Sequence, residues 1–436
     1  MSPLDIALIT LGLLLLLLFS GVHLVTTLMV TSLVGVFLVT GRVSTAINVL
    51  SMSAWGSIRD YMFGVIPLFM LMGLFANLSG ASKELYDSAN LLLKKLRGGV
   101  GMATVVANAI FAAITGVSIA SSAIFTKIAL PQMLRLGYNR KTSVGTIAGS
   151  AVLGMLIPPS LLMIVYGSQA DVSIGKLFIG GVVPGLLLSL LFCITIALTA
   201  KLKPQYIPKP EPLTEDEKKN FWKIVLKPWA MLVLIAVSLG GIWLGMFTPT
   251  EAGGVGAFGA FLIVILKGKF NWKTMKETLL SAVSTSGSVL ILLIAASCYS
   301  KTLSMAGVVN MFSNAILGLS VPPIVIILMF MLVLLALGCI LDSTSILLLT
   351  IPLMVPIVKS FGFDPVWFGI VMIVAVECGL LTPPFGMNVF TVKAAIVDMP
   401  EARGITVEEI FSGSMPFFLA MIVLLLMMIF IPQIVL

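Results

Sequence analysis

Gly154-Met-Leu-Ile-Pro158-Pro159 and Gly379-Leu-Leu-Thr-Pro383-Pro384 are the two stretches that decide the fold. Each places two consecutive prolines inside a long apolar segment, where they remove two backbone donors and force a helix to unwind. The two lie 225 residues apart, as do Gly137-Tyr138 and Gly362-Phe363, and Pro131 and Pro356. Gly80 matches Gly307 at 227 and Phe178 matches Phe411 at 233, with extra residues around Asp398–Thr406 accounting for the drift. An ordered series of this kind marks two copies of one unit. A plain packing kink would not repeat the same Gly-x-x-x-Pro-Pro at matching positions.

The medium of that unit follows from composition. The chain has 436 residues, of which 59% are hydrophobic and 10% charged, with a mean hydropathy of +1.15. Soluble proteins carry about 25% charged residues, so a soluble enzyme is excluded and the solvent is lipid. With about 20 apolar residues per span, ten segments qualify: 4–20, 22–41, 61–79, 141–167, 176–200, 229–246, 250–267, 284–300, 366–393 and 410–433. The first reads as a span and not as a cleaved signal, since it carries Asp5 and no basic n-region. Amphipathic stretches at 44–60, 82–98, 271–283 and 302–316 are expected along the interface.

Two apolar stretches, 99–134 and 321–360, are too long for one span and are interrupted by Thr115-Gly116-Val117-Ser118 and by Gly338 through Ser345. Each is expected to fold as a re-entrant hairpin, because irregular backbone at membrane depth is tolerated where it lines a cavity. The hydrophilic segment 201–227, rich in Pro, Lys and Glu, joins the halves. Of the 26 Lys and Arg residues, 20 then fall on the face opposite the N-terminus and five on the other. The positive-inside rule puts the linker in the cytoplasm and both termini outside. Hairpin 99–134 enters from the cytoplasm and hairpin 321–360 from the periplasm. Five spans per half is odd, so the second half is inverted. The expected fold is an all-α polytopic membrane protein of about ten spans and two hairpins. It divides into repeats 1–200 and 228–436 around the linker, the architecture of secondary transporters.

Carbonyls freed at a Pro-Pro break can hold a cation, and a half-helix N-terminus can face an anion. Asp342 stands alone in an apolar run, followed by Ser343, Thr344 and Ser345. It suits both a hard oxygen ligand for sodium and an N-cap of the second half-helix. Ser118, Ser121 and Ser122 fill the equivalent region of the first hairpin without an acid. Glu377 is a second embedded acid, equally suited to an ion pathway and to a hydrogen bond with a neighbouring helix. Thr248-Pro249-Thr250-Glu251 has the pattern of a capping box. Gly253, Gly256 and Gly259 suit close helix packing. Lys127 is expected to snorkel. With one histidine, His23, expected as a hydrogen-bonded core residue, and cysteines 193, 298, 339 and 378 scattered singly, transition-metal and Ser–His chemistry have no material. An intramembrane hydrolase lacks a nucleophile–base pair. The net charge of +8 sits in gaps between spans, a membrane signature and not one of nucleic-acid binding.

Several motifs also resemble a family. Gly154 through Tyr166-Gly167, Lys176-Leu-Phe-Ile-Gly-Gly-Val-Val-Pro-Gly185, Ile66 through Gly73, Phe247-Thr-Pro-Thr-Glu-Ala252 and Gly338 to Asp342 are similar to the large membrane subunit of tripartite ATP-independent periplasmic (TRAP) transporters. The resemblance covers essentially the whole chain. It implies an elevator-type, sodium-driven importer of organic anions in the bacterial inner membrane, fed by a soluble periplasmic binding protein and paired with a small four-helix membrane subunit. Sialic acid and C4-dicarboxylates both fit as substrates; a stand-alone sodium/dicarboxylate symporter is the alternative. On this reading one sodium site uses Gly116, Ser118, Gly154 and Pro158. The other uses Gly338, Asp342, Thr344, Gly379, Thr382 and Pro383. Substrate sits near Ser121, Ser122, Thr344 and Asn388. Sodium is the coupling ion and no other cofactor is expected.

Overall fold

The computed structural model describes residues 2–59, 61–319 and 321–435. In lipid every backbone polar group must be satisfied within its own segment, and among the described residues the regular structure is entirely helical. The helices of the first half are α1 (Pro3–Phe19), α2 (Leu24–Thr40), α3 (Val43–Ile58), α4 (Val65–Leu78), α5 (Ala81–Leu93), α6 (Gly99–Thr115), α7 (Ser118–Arg135), α8 (Arg140–Ala151), α9 (Leu153–Leu156), α10 (Leu161–Ala170) and α11 (Ile174–Leu202). Two short helices, α12 (Glu215–Lys219) and α13 (Phe221–Val225), lie in the linker. The second half holds α14 (Trp229–Trp243), α15 (Pro249–Leu266), α16 (Trp272–Met305), α17 (Val308–Leu317), α18 (Pro323–Gly338), α19 (Ser343–Ser360), α20 (Pro365–Gly379), α21 (Met387–Ala395) and α22 (Val407–Phe430).

The punctuation repeats with the helices. Gly80 and Gly307 both take left-handed φ and start α5 and α17. Asn139 and Asp364 cap α8 and α20 with their side chains. Both Pro-Pro bonds are cis. Packing repeats too: α2 lies on α16 as α4 lies on α15, and α7 meets α21 as α19 meets α10. Helices α1–α4 and α14–α16 form one bundle, α6–α11 and α18–α22 another, with α5 and α17 bridging them. Helix α20 is the centre of the second bundle, buried from Val366 to Gly379.

Among the described residues seven helical stretches are long and apolar enough to cross a membrane, or eight if α4 and α5, bent by 65°, count as one. Six of the seven coincide with expected spans, and the seventh is α19, an arm of the hairpin 321–360. The other four expected spans are the shorter helices α1, α2 and α4 and the pair α20–α21. Two expectations fail. The stretch 271–283 is not a separate interfacial helix, because α16 runs unbroken for 34 residues. Its counterpart, α3 followed by α4, is interrupted by a 3-10 turn at Tyr61–Gly64. The last residue of the stretch 44–60 lies outside the described residues. His23 differs as well, being an exposed N-cap that accepts from the Val25 amide at 3.4 Å. Thr248 and Glu251 do form a capping box, and Gly256 meets Met72 across the α15–α4 contact.

The linker is pinned, not free. Lys94 pairs with Glu217 at 2.7 Å and Ser88 Oγ donates to the Val225 carbonyl at 2.9 Å; outside the linker, Glu84 is paired with Lys267. These ion pairs join residues that the charge count assigns to one face.

Candidate ion and substrate site at the hairpin tips

Gly116 turns the first hairpin by ending α6 in the left-handed region, at φ 62°. A Cβ there would stand 2.5 Å from the Pro159 carbonyl oxygen. The Leu161 amide, just past the break, donates to the Gly116 carbonyl at 3.2 Å. Gly154 closes the contact, its missing Cβ lying 3.0 Å from the Ser118 nitrogen. The first tip thus rests directly on the first Pro-Pro break.

The second tip rests on the second break in the same way. The Phe385 amide donates to the Cys339 carbonyl at 3.2 Å. Gly338 and Gly379 touch backbone to backbone, with a Cβ on Gly338 only 2.7 Å from the Gly379 Cα. Thr382 Oγ1 donates to the Gly379 carbonyl at 2.7 Å and lies 2.9 Å from Cys339 Sγ. Asp342 is the N-cap of α19, accepting from the Ser345 amide at 3.0 Å and from the Ser345 hydroxyl. The capping role is therefore visible in the geometry. The two breaks differ in access: Pro158, Pro159 and Ser160 are buried, whereas Pro383, Pro384 and Phe385 are exposed.

Between the tips stands Glu377, 1% exposed, whose sequence context suits an ion pathway and a hydrogen bond equally. Ser343 Oγ, at the start of α19, donates to Glu377 Oε1 at 2.7 Å. Ser118, the equivalent residue at the start of α7, faces the same carboxylate from the first hairpin. The acid was visible in the sequence, but its meeting with two serines 34 and 259 residues away was not. Among the described residues Glu377 Oε2 has no hydrogen-bond partner, nor do the hydroxyls of Ser118, Ser121 and Ser122 or either amide atom of Asn388. Helix α21, carrying Asn388, packs against α7, carrying Ser121 and Ser122. Thr344 lies nearly buried in the first turn of α19. Among the described residues no hydrogen bond joins Thr344 or Asn388 to Ser121 or Ser122.

A buried polar group without a partner costs about 1–3 kcal/mol. Six such atoms in one region give a lining suited to a polar or charged guest. Hydroxyls, a carboxylate and an amide oxygen make a hard donor set suited to alkali cations and polar anions, and poorly suited to soft metals. Lys127 is exposed on α7 beside Lys83 and Arg135 and stands outside this cluster.

Fold and site define a multi-pass membrane transporter subunit. Residues 11–434 match the model of the family described as "Tripartite ATP-independent periplasmic transporter, DctM component". The C4-dicarboxylate TRAP transporter large permease protein of Pseudomonas aeruginosa is 32% identical over 393 residues, covering 89% of this chain and 88% of that protein. The sialic acid TRAP transporter large permease protein of Vibrio cholerae is 28% identical over 358 residues, 82% of each chain. In structure, the chain resembles the YdaH transporter of Alcanivorax borkumensis, with a TM-score of 0.61 over 88% of each chain at 14% identity, a likeness of fold alone. The chain belongs to the large permease subunits of TRAP transporters. Such a subunit is one part of a tripartite system, and its relatives are permeases, not enzymes.

Proposed function

We propose that this chain drives sodium-coupled import of an organic anion, a carboxylate such as sialic acid or a C4-dicarboxylate. A soluble periplasmic binding protein delivers the anion, and a small four-helix membrane subunit completes the transporter in the bacterial inner membrane. The buried cluster of unpartnered polar atoms around Glu377 carries this reading. The first sodium site uses Gly116 and Ser118 with Gly154 and Pro158; the second uses Gly338, Asp342 and Thr344 with Gly379, Thr382 and Pro383. Substrate occupies the space served by Ser121, Ser122, Thr344 and Asn388. The hairpins and breaks lie together in one bundle, so that bundle moves as a unit against the other in an elevator cycle. The printed names of the relatives, a C4-dicarboxylate and a sialic acid permease, support the substrate class.

The test is uptake by proteoliposomes. With the small subunit and the cognate binding protein added, uptake should require sodium and vanish in potassium, and the lone chain should be inactive. Uptake indifferent to the cation would remove the coupling. Robust uptake by the lone chain would favour the stand-alone symporter.

A further inference from the structure

We propose that the groove between α11 and α22 binds one anionic phospholipid, its acyl chain between the helices and its phosphate held by Lys141 and Lys203. The groove encloses about 540 Å³. Its walls run from Leu191 to Leu202 on α11 and from Ser412 to Val423 on α22, twelve residues and so eleven helical steps each. At 1.5 Å per residue that is about 16 Å, close to the depth of one leaflet of a core about 30 Å thick. The walls are mainly apolar, with the Thr195 and Thr199 hydroxyls turned to carbonyls of their own helix, and open outward, with Leu198 51% and Leu419 56% exposed. The floor is closed where Phe192 meets Phe417 edge-on, ring centres 5.3 Å apart. An acyl chain matches an apolar slot of this depth.

Charge is concentrated at one end. Lys141 comes from the first turn of α8 and Lys203 from the turn after α11, its ammonium 5.3 Å from the centre of the Tyr206 ring. That turn is fixed: Arg97 donates to the Pro204 carbonyl at 3.0 Å and the Asn139 amide donates to the Tyr206 carbonyl at 2.9 Å. Among the described residues no carboxylate lines the groove. Two uncompensated cations above a leaflet-deep apolar slot complement a phosphodiester on a diacyl tail.

Native mass spectrometry of the full chain in detergent tests this, with phosphatidylglycerol and phosphatidylethanolamine of identical dioleoyl chains as probes. The chain should bind phosphatidylglycerol at least about fivefold more tightly. The pair Lys141→Gln and Lys203→Gln should erase the difference. Ala420→Trp, which fills the slot, should weaken both lipids, and Thr195→Phe does the same should the tryptophan variant fail to fold. Equal binding of the two lipids by the unaltered chain would overturn the proposal. So would a preference surviving in the lysine variant, undiminished binding with the slot filled, or equal competition by headgroup alone as glycerophosphoglycerol.

Discussion

Glu377 has one of its oxygens engaged, by Ser343, and the other facing buried space. Glutamine keeps the shape of the side chain and removes its ionisable group. Glu377→Gln should insert and fold normally, since the amide oxygen can still accept from Ser343 Oγ. Its reconstituted uptake should fall at least tenfold. Sodium should raise the melting temperature of the unaltered chain and raise that of the variant less; an unchanged sodium response would disconnect Glu377 from the ion. Gly116 makes a second test, because a side chain there meets both an unfavourable φ and the Pro159 carbonyl. Left-handed backbone alone costs a non-glycine residue about 1–2 kcal/mol. Gly116→Ala should therefore abolish uptake while leaving membrane insertion intact. Gly137→Ala, also left-handed but with open space around it, should be the milder change.

At the scale of elements, α8 and α22 touch through paired glycines. A Cβ on Gly145 would lie 2.0 Å from the Gly413 carbonyl oxygen, and one on Gly413 would lie 1.9 Å from that of Lys141. Gly413→Leu should lower the melting temperature and the monodisperse yield sharply, while Gly254→Leu, with nothing within 4 Å, should not. The strap α12 gives a pH prediction. Desolvation works to raise the Glu217 carboxyl, but Lys94 and Thr214 outweigh it and hold it below the usual 4.5. A depressed carboxyl stabilises above its unfolded value, and that contribution is lost as pH falls through the folded one. Hydrogen exchange over residues 214–219, corrected for intrinsic rates, should rise at low pH and in Lys94→Gln at neutral pH. Elements of this kind were unevenly legible in the sequence. The hairpin turns and the breaks could be read because glycine and paired prolines act locally on the backbone. The continuity of α16 could not, since the lysines and Glu277 of 271–283 suit a helix lying on the membrane and one rising through its headgroups equally well. Nor could the meeting at Glu377, which depends on two tips folding onto one buried helix.

For the whole molecule, the charge count makes a claim about sides. Single cysteines at Lys209 and Ser2 should label from opposite faces with an impermeant maleimide; labelling of both from outside would overturn the topology. The unbroken α16 carries a different consequence. Its 34 residues extend about 51 Å at 1.5 Å each, beyond the 40–45 Å of a bilayer with its headgroups. Fitting that length into the hydrocarbon by tilt alone would need more than about 50°, outside the usual 0–40° range. Its first turns, with exposed Trp272, Lys273, Lys276 and Glu277, must ride above the acyl chains. A thicker membrane would draw Lys276 and Glu277 into oil, while the first-half counterpart can yield at its 3-10 turn. Hydrophobic mismatch would then load one half of this pseudo-symmetric frame and spare the other, making lipid chain length a force applied to the balance between them.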